Sequence, residues 1–192
     1  MGEIEPHGGV LLLTSAFSRY PEALEWAKER TQQEWGPLGL VSEVYDFVET
    51  TYYEPTMGPG LKKVFYTYQQ LVTPETLPEI KRQSNAWEEE YAALGRHPEP
   101  RPLNLDPGYL MTGKLVLAST KDHAHRIYLA DGIYGEVTLK YQHGGWRQTD
   151  WTFPDYRRQD YHRFFTHCRQ WLLTRLREAD SPESTSGEVE PT

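Results

Sequence analysis

The first half of the chain alternates between apolar runs and amphipathic segments, a pattern that predicts strands and helices in turn. Residues 10–17 form an apolar run typical of a buried strand. The segment 21–36 opens with Pro, carries apolar residues at helical spacing and closes with Gly, so it predicts a helix. Residues 39–48 and 61–72 predict two further strands, because they are rich in β-branched and aromatic residues.

A second helix is predicted to start at Thr73, since a hydroxyl residue followed by proline suits a helix N-terminus. Its apolar stripe, which we expect to face the core, comprises Leu77, Ile80, Ser84, Trp87, Tyr91 and Leu94. A proline-rich loop follows, and a short strand near residues 102–105 would complete a split βαβ unit. The first part of the chain therefore predicts a ferredoxin-like core.

The second half predicts an antiparallel meander. Residues 115–119 predict either a short strand or a buried helical turn. Residues 125–130 and 133–141 predict a hairpin, because the Asp-Gly pair between them is a strong two-residue turn signal. A Gly-Gly turn at 144–145 leads to a further strand over 146–153.

A terminal amphipathic helix over residues 156–177 completes the pattern, with aromatic and aliphatic residues on one stripe and arginines on the other face. We predict an α+β fold in which residues 1–177 form a single globular domain. Residues 178–192 hold five acidic residues and no Lys or Arg, and this composition predicts a disordered acidic tail.

Charge and cysteine content narrow the function classes. The formal net charge is −8, but without the tail the chain has 23 acidic residues against 20 basic ones, which argues against general nucleic-acid binding through a basic surface. Cys168 is the single cysteine, so no intrachain disulfide can form and a cytoplasmic location is expected. The N-terminus has neither a basic region nor a long apolar run, so we expect no membrane segment.

The segment 104–141 places many charged side chains inside strand-forming sequence, where burial is costly unless the charges are paired or bind something. Counting outward from the hairpin turn makes His125 and Glu136 diagonal neighbours on one side of the sheet, with Arg126 on the other. His125 and Glu136 are candidates for an acid/base pair or for two metal ligands. The alternative interpretation is a structural hydrogen bond between them.

The loop that precedes the hairpin combines small hydroxyl residues with Lys121, Asp122 and His123. Such a loop can hold a phosphate or a carboxylate, and it can equally form an ordinary turn.

Residues 108–115 come close to the phosphate-binding pattern GxxxxGK[ST]. Leu115 occupies the position whose hydroxyl binds magnesium, and bulky residues fill a loop that must fit around phosphates. A true P-loop is therefore not expected. Lys114 is interpreted as a salt-bridge partner or as an independent ligand contact.

Aromatic and acidic residues outside these motifs add further candidates. Asp106 begins an Asp-Pro-Gly-Tyr sequence that predicts a tight turn, from which its carboxylate could project into a cleft. Tyr52, Tyr53 and Glu54 lie in a loop of high aromatic density, and loops held by a rigid scaffold often carry function. Tyr134, in the hairpin, could stack on a ligand or hydrogen-bond to it.

Four phrases of the sequence are distinctive: TYYEPTMGPGLKKVF at 51–65, NLDPGYL at 104–110, KLVLASTKDHAHRIYLADGIYGEVTL at 114–139 and WTFPDYR at 151–157. Together they resemble a bacterial family known chiefly as a domain of unknown function, whose members are often labelled "GTP-binding protein" automatically. The resemblance implies a family unit that covers most of residues 10–170. It implies no established reaction.

Three functional hypotheses follow. The first is binding of a small anionic ligand, nucleotide-like or otherwise phosphorylated, with Lys121, Arg126 and Lys114 neutralising its charge and tyrosines stacking on it. The second is a metal-assisted hydrolase that uses a divalent metal. Its catalytic candidates are His125, Glu136 and Asp106, and its metal ligands are Asp122 and His123. The third is a non-catalytic interaction module, which would lack a concave polar pocket and expose an apolar patch. The residue pattern leaves the oligomeric state open.

Overall fold

A nine-stranded antiparallel sheet with four α-helices is the framework of the computed structural model, which describes residues 7–179. The strands are β1 (Leu11–Ser18), β2 (Leu38–Val41), β3 (Tyr45–Asp46), β4 (Lys62–Tyr68), β5 (Asn104–Leu110), β6 (Lys114–Ser119), β7 (Ile127–Ala130), β8 (Ile133–Gln142) and β9 (Gly145–Gln148). The helices are α1 (Pro21–Trp35), α2 (Glu54–Met57), α3 (Leu77–Ala93) and α4 (Gln159–Ala179). Single 3₁₀ turns precede α3 at Pro74–Thr76 and α4 at Asp155–Arg157. The predicted α+β content is confirmed.

The strand order is β2-β4-β1-β5-β6-β8-β7, with β3 added beside β4 and β9 beside β8. All eight residues of β1 are buried, including Thr14, Ser15 and Ser18, which explains why its sequence is mostly apolar and does not alternate. Alternate residues of β1 face two different cores. Leu12 and Ala16 pack with α1 and α3 on one face, whereas Leu11 and Leu13 pack with α4 on the other. The sheet is therefore covered on both faces over its centre.

The helices follow the sequence pattern closely. α1 begins at Pro21 and ends at Gly36, as predicted, and Gly36 has the positive φ of 87° that favours glycine. α3 buries the predicted stripe with one exception: the helix ends at Ala93, so Leu94 is 45% exposed and does not join the core. No helix within residues 7–179 is long and apolar enough to cross a membrane.

Three predicted strands are wrong in extent. The strand predicted over 61–72 ends at Tyr68 in β4. The segment 39–48 is interrupted, because Ser42 hydrogen-bonds to the main chain of Phe65 through both its N–H and its hydroxyl, and β2 and β3 lie on either side of it. The strand predicted over 146–153 ends at Gln148 in β9. The hydroxyl of Thr152 accepts the N–H of Thr149 at 2.7 Å and closes a turn there.

The predicted turn at Asp106 is also wrong, because Asp106, Pro107 and Gly108 lie within β5. Pro107 has no N–H to donate to a ladder. It is tolerated because the ladder between β5 and β6 covers only Gly108–Leu110 with Leu115–Leu117, and Pro107 lies just beyond it. Residues 108–115 are thus the β5–β6 hairpin, which is not a phosphate-binding loop before a helix.

The β7–β8 hairpin forms at the predicted Asp-Gly turn, where Asp131 and Gly132 have φ values of 52° and 77°. Its register differs from the predicted one. Tyr128 pairs with Tyr134 and Ala130 with Ile133, which leaves Leu129 as a bulge. Glycine at position 135 makes this bulge fit, since a Cβ there would lie 3.3 Å from the Leu129 side chain.

α4 continues through Ala179, so the first two residues of the predicted tail are helical. The rest of the predicted disordered tail, residues 180–192, lies outside the described residues.

Candidate functional site

A cavity of about 630 Å³ lies where β5 and β6 separate. Their ladder stops at Gly108 and Leu117, whereas β5 extends back to Asn104 and β6 on to Ser119. The ends of β5 and β6 that do not pair with each other form two walls of the cavity. The loop at 47–53, part of α3 and the segment 153–156 supply the others. The site therefore arises where the two strands of a hairpin separate, and segments distant in the sequence complete its walls.

Asp106 lies at the base of this gap with its side chain 30% exposed, the most accessible among the cavity carboxylates that β5, β8 and α3 supply. Lys81 of α3 donates to one carboxylate oxygen at 3.1 Å and to the main-chain oxygen of Leu105 at 2.9 Å. The amide of Asn104 donates to the other carboxylate oxygen at 2.9 Å. Burial favours a higher pKa for Asp106, but the charges of Lys81 and Lys63 outweigh it and hold the pKa below its usual value. Asp106 is therefore an anion at neutral pH.

Lys63 and Asp155 form a buried ion pair in the wall of the cavity, at 2.6 Å and with side chains 4% and 5% exposed. The ammonium of Lys63 also lies 4.6 Å from the ring centre of Phe47 and 4.9 Å from that of Tyr156. Burial, followed by the charges of Asp155 and Asp106, raises the pKa of Tyr156 well above its usual value. The Tyr156 hydroxyl consequently stays protonated and can act as a donor.

Glu88 and Arg101 line the rim on the α3 side. They pair at 3.1 Å, and Glu88 also accepts the main-chain N–H of Leu105 at 2.8 Å. Arg101 donates in addition to the side-chain oxygen of Asn104. Burial raises the pKa of Glu88 above its usual value, against the opposing effects of Lys81 and of the Leu105 hydrogen bond. These contacts orient Asn104, which in turn holds Asp106.

Glu136 of β8 is 1% exposed and fully engaged. It accepts Arg126 Nε at 2.7 Å, His125 Nε2 at 3.3 Å and the hydroxyl of Thr138 at 3.1 Å. The predicted contact of His125 with Glu136 is present. The prediction that Arg126 lies on the other side of the sheet is wrong, because the β7 bulge changes the register and Arg126 precedes the strand. Glu136 has little capacity left for proton transfer, so the geometry favours a structural role for it.

The ring of His125 lies between two other rings. His123 stacks at 5.9 Å between ring centres, and Trp151 at 5.3 Å. His123 lines the cavity, whereas His125 contacts Glu136 from behind the cavity wall. The stack therefore fixes the loop that precedes β7.

Lys121 and Tyr52 meet across the cavity mouth. The ammonium of Lys121 donates to the Tyr52 hydroxyl at 3.1 Å and lies 5.0 Å from the ring centre. This hydrogen bond and the charge of Lys121 lower the pKa of Tyr52. The contact joins the loop at 47–53 to the loop at 119–126.

The charges that line the cavity are balanced: five carboxylates face five cations. Each carboxylate pairs with a cation, in the pairs Glu49–Arg158, Glu88–Arg101, Asp106–Lys81, Glu136–Arg126 and Asp155–Lys63, and Arg158 is shared with Asp160 outside the lining. Arg158 is not itself a residue of the cavity lining. Lys121 is consequently the lining cation that has no carboxylate within 4.0 Å in the described part of the chain.

The structure brings together about half of the predicted site residues. The cavity lining includes Tyr52, Tyr53, Asp106, Lys121, His123, Arg126 and Glu136. Five predicted residues lie outside the lining, namely Glu54, Lys114, Asp122, His125 and Tyr134. Glu54 begins α2 and is exposed, Lys114 begins β6 at the opposite end from the cavity, and Tyr134 packs on Tyr128.

The predicted metal donors do not assemble. Within residues 7–179, no three His, Cys, Asp or Glu side chains group closely enough to hold a metal ion. Asp106 is committed to Lys81 and Asn104, and Asp122 is exposed outside the cavity. The described residues thus provide no three-donor site of the kind that a metal-assisted hydrolase requires.

Sequence reasoning missed the charged residues that distant segments bring to the cavity, namely Lys63, Lys81, Glu88, Arg101 and Asp155. One signal was present. Lys81 follows Leu77 by four residues and Glu88 follows Lys81 by seven, so both lie on a helix stripe next to the apolar one. A polar stripe at that spacing on a core helix indicates charges that point inward.

Comparison with known proteins assigns the chain to a family without assigning a reaction. No curated protein and no solved structure matches it. The match that exists carries no indication of GTP binding. Residues 8–171 match the family described as a domain of unknown function, DUF4416, and the chain belongs to that family.

Proposed function

We propose that the cavity binds a small phosphorylated molecule, such as a sugar phosphate or a nucleotide-like compound. The observation that carries the proposal is the position of Lys121. Every carboxylate of the lining already pairs with another cation, so Lys121 at the mouth is the positive charge left to meet an anion. Thr120 and His123, from the same loop, also line the cavity and offer further donors.

Asp106 supplies the opposite pole of the proposed site. Its carboxylate stays ionised because of Lys81 and Lys63, and its side chain is accessible from the cavity. An ionised carboxylate held in this way accepts hydrogen bonds from ligand hydroxyl or amino groups. The proposed ligand therefore carries an anion at one end and hydrogen-bond donors at the other.

Aromatic and amide side chains suit the middle of such a ligand. Tyr52, Tyr53 and Phe153 line the cavity, and their rings can cover a sugar or a base. Asn85 of α3 also lines it and makes no side-chain hydrogen bond to another described residue. The volume of about 630 Å³ lies within the usual range for small-molecule sites, roughly 300–1,000 Å³.

A thermal-shift comparison of phosphorylated compounds with their dephosphorylated counterparts tests the proposal. A binding compound present at ten times its Kd should raise Tm by about 3–5 °C for a chain of this size. K121M should abolish this response and leave the Tm of the unliganded protein unchanged, since Lys121 is exposed. K114M is the matched control, because Lys114 lies away from the cavity and its replacement should leave the response intact.

Two results would overturn the proposal. One is equal stabilisation by phosphorylated and dephosphorylated compounds, which would show that no anion is recognised. The other is an unchanged response in K121M. Loss of the response in K114M and not in K121M would move the site to the opposite end of β6.

The cavity weighs against the interaction-module hypothesis, which requires that no concave polar pocket be present. The exposed apolar patch that the same hypothesis requires is present, because β7 lies at the edge of the sheet with Ile127, Tyr128 and Leu129 exposed. We favour ligand binding, since the buried ion pairs of the cavity would be costly to maintain on a surface that only docks a partner.

We also infer that the first part of the fold is a split βαβ unit of the ferredoxin-like type. The order β2-β4-β1-β5 and the packing of α1 and α3 on one face support this inference. A cytoplasmic location remains a proposal. It is supported by the single Cys168, which is buried and free.

A further inference from the structure

A second and smaller cavity of about 390 Å³ lies between the β8–β9 turn and the first turns of α4. The side chains that define it are His143 and Arg147 from the hairpin and His162, Arg163, Thr166 and His167 from the helix. No acidic residue lines it. This contrasts with the first cavity, where five carboxylates balance five cations.

The two arginines are not neutralised elsewhere. Within residues 7–179, neither Arg147 nor Arg163 has a carboxylate within 4.0 Å. The carboxylate that acts on His162 is Asp160, and both of its oxygens are held by Arg158, at 2.9 and 2.5 Å. The positive charge of the cleft is therefore uncompensated, although the chain as a whole is acidic.

The helical side of the cleft forms one surface. Residues 162, 163, 166 and 167 are spaced by one, three and one, so they share a face of α4. His162 is oriented by a 2.8 Å hydrogen bond from its Nε2 to the main-chain oxygen of Tyr156. Its other ring nitrogen is left for a further contact.

The hairpin side is equally well defined. Gln142 pairs with Gly145, so the turn consists of the two residues His143 and Gly144, with φ values of 50° and 76°. Two-residue turns of this kind are rigid connections. His143 is consequently presented by a fixed turn.

We propose that this cleft is an anion-binding site that takes a phosphate group, either free or at the end of a small organic molecule. Guanidinium groups recognise tetrahedral oxyanions through paired N–H donors, and imidazole groups add single donors. The cleft supplies two arginines and the exposed imidazoles of His143 and His167 with no competing carboxylate, whereas the Thr166 hydroxyl and His162 Nε2 already donate to main-chain oxygens. The site is separate from the first cavity, with which it shares no lining residue.

Phosphate titration of the full-length protein, followed by NMR of the histidine side chains, tests this proposal. K121M is used as the background so that the first cavity does not contribute. Inorganic phosphate should cause saturable shifts of the His162 and His167 resonances, and chloride at the same ionic strength should not. Glycerol phosphate in place of inorganic phosphate distinguishes the two sources, since tighter binding of the ester assigns an organic ligand and tighter binding of the free ion assigns inorganic phosphate.

R163Q should weaken phosphate binding by about tenfold, because one charge-assisted contact is lost. R175Q is the matched control. It removes the same charge from an exposed position of the same helix, 12 residues further on and outside the cleft. It should leave the affinity for phosphate unchanged. Circular dichroism of both variants confirms the fold. The proposal is wrong if no saturable shift of His162 or His167 occurs at millimolar phosphate, or if R163Q and R175Q weaken binding equally.

Discussion

Asp106 shows how a single side chain acquires its properties from residues far away in the sequence. Its carboxylate was a candidate from the local pattern. Its state depends on Lys81, which is 25 residues away, and on Lys63. Opposite charges at close range lower the pKa more than burial raises it. Asp106 is consequently a stable anion for binding, and its low pKa makes it a weak general base at neutral pH.

The ionised Asp106 should stabilise the fold in a pH-dependent manner. Its folded-state pKa lies below the usual value of about 3.9. The stabilisation is therefore full above about pH 4 and is lost as the pH falls through the folded-state pKa. D106N should lower the free energy of unfolding by about 1–3 kcal/mol at pH 7, since it leaves Lys81 buried without its partner. The difference from the wild type should shrink as the pH falls below 4, as measured by urea denaturation.

D131N is the control for this prediction. Asp131 also pairs with a cation, Arg82, but both side chains are more than 60% exposed, and Asn tolerates its positive φ. Its replacement should leave stability unchanged at every pH. A pH-independent difference between D106N and wild type would show that the charge of Asp106 is not what stabilises the fold.

At the scale of elements, the β5–β6 hairpin forms the site by pairing over only part of its length. Three residue pairs hold the strands together near the turn. Gly108 is the last of these residues on β5, and its backbone lies so close to β6 that a Cβ would be 2.2 Å from the main-chain oxygen of Val116. Close approach at one end and separation at the other define the mouth of the first cavity.

G108A should therefore destabilise the protein by about 3 kcal/mol or more, because the added methyl overlaps main-chain atoms that cannot move without breaking the ladder. G113A is the matched control in the same hairpin. Gly113 lies in the turn with no atom within 4 Å of an added Cβ, so the stability of the G113A variant should differ little from that of the wild type. Urea denaturation midpoints of the two variants provide the measurement. Equal stability of G108A and wild type would contradict the tight approach of the strands.

Packing between the two strands of the β7–β8 hairpin explains why the register differs from the predicted one. The Asp-Gly turn was identified from two residues, and it forms where expected. The bulge at Leu129 lies against Gly135 on the facing strand, where an added Cβ would be 3.3 Å from the Leu129 side chain. This packing moves Arg126 to the Glu136 side and converts a proposed acid/base pair into a structural network.

At the scale of the whole molecule, positive charge is unevenly distributed. The lining of the first cavity carries equal numbers of carboxylates and cations, and the second cleft is basic. The predicted acidic tail contributes a large share of the net charge of −8. Because the described fold contains both sites without residues 180–192, the tail is expected to affect solubility more than stability.

Truncation after Ala179 should leave Tm unchanged within about 1 °C, since every described helix and strand lies within residues 7–179. It should lower solubility, measured as the midpoint of polyethylene glycol precipitation, because four acidic residues are lost. A full-length variant with those four residues changed to Asn or Gln is the control and should precipitate like the truncated protein. A fall in Tm of several degrees would show that the tail packs against the fold.

The sequence by itself determined α1, α3 and α4, most strands, the α+β class, the Asp-Gly hairpin turn and the family, because these depend on periodicity, turn residues and local phrases that short segments carry. It also indicated Asp106, Lys121 and the Tyr52–Tyr53 loop. It did not indicate α2, which lies in a segment predicted to be a loop. Only the tertiary structure decided where the cavity lies and which charges face it. The pairing of Lys63 with Asp155 joins residues 92 positions apart, and the cavity walls come from segments spread over residues 47–156. Contacts at that separation are selected by packing of the whole sheet, and local sequence patterns do not encode them.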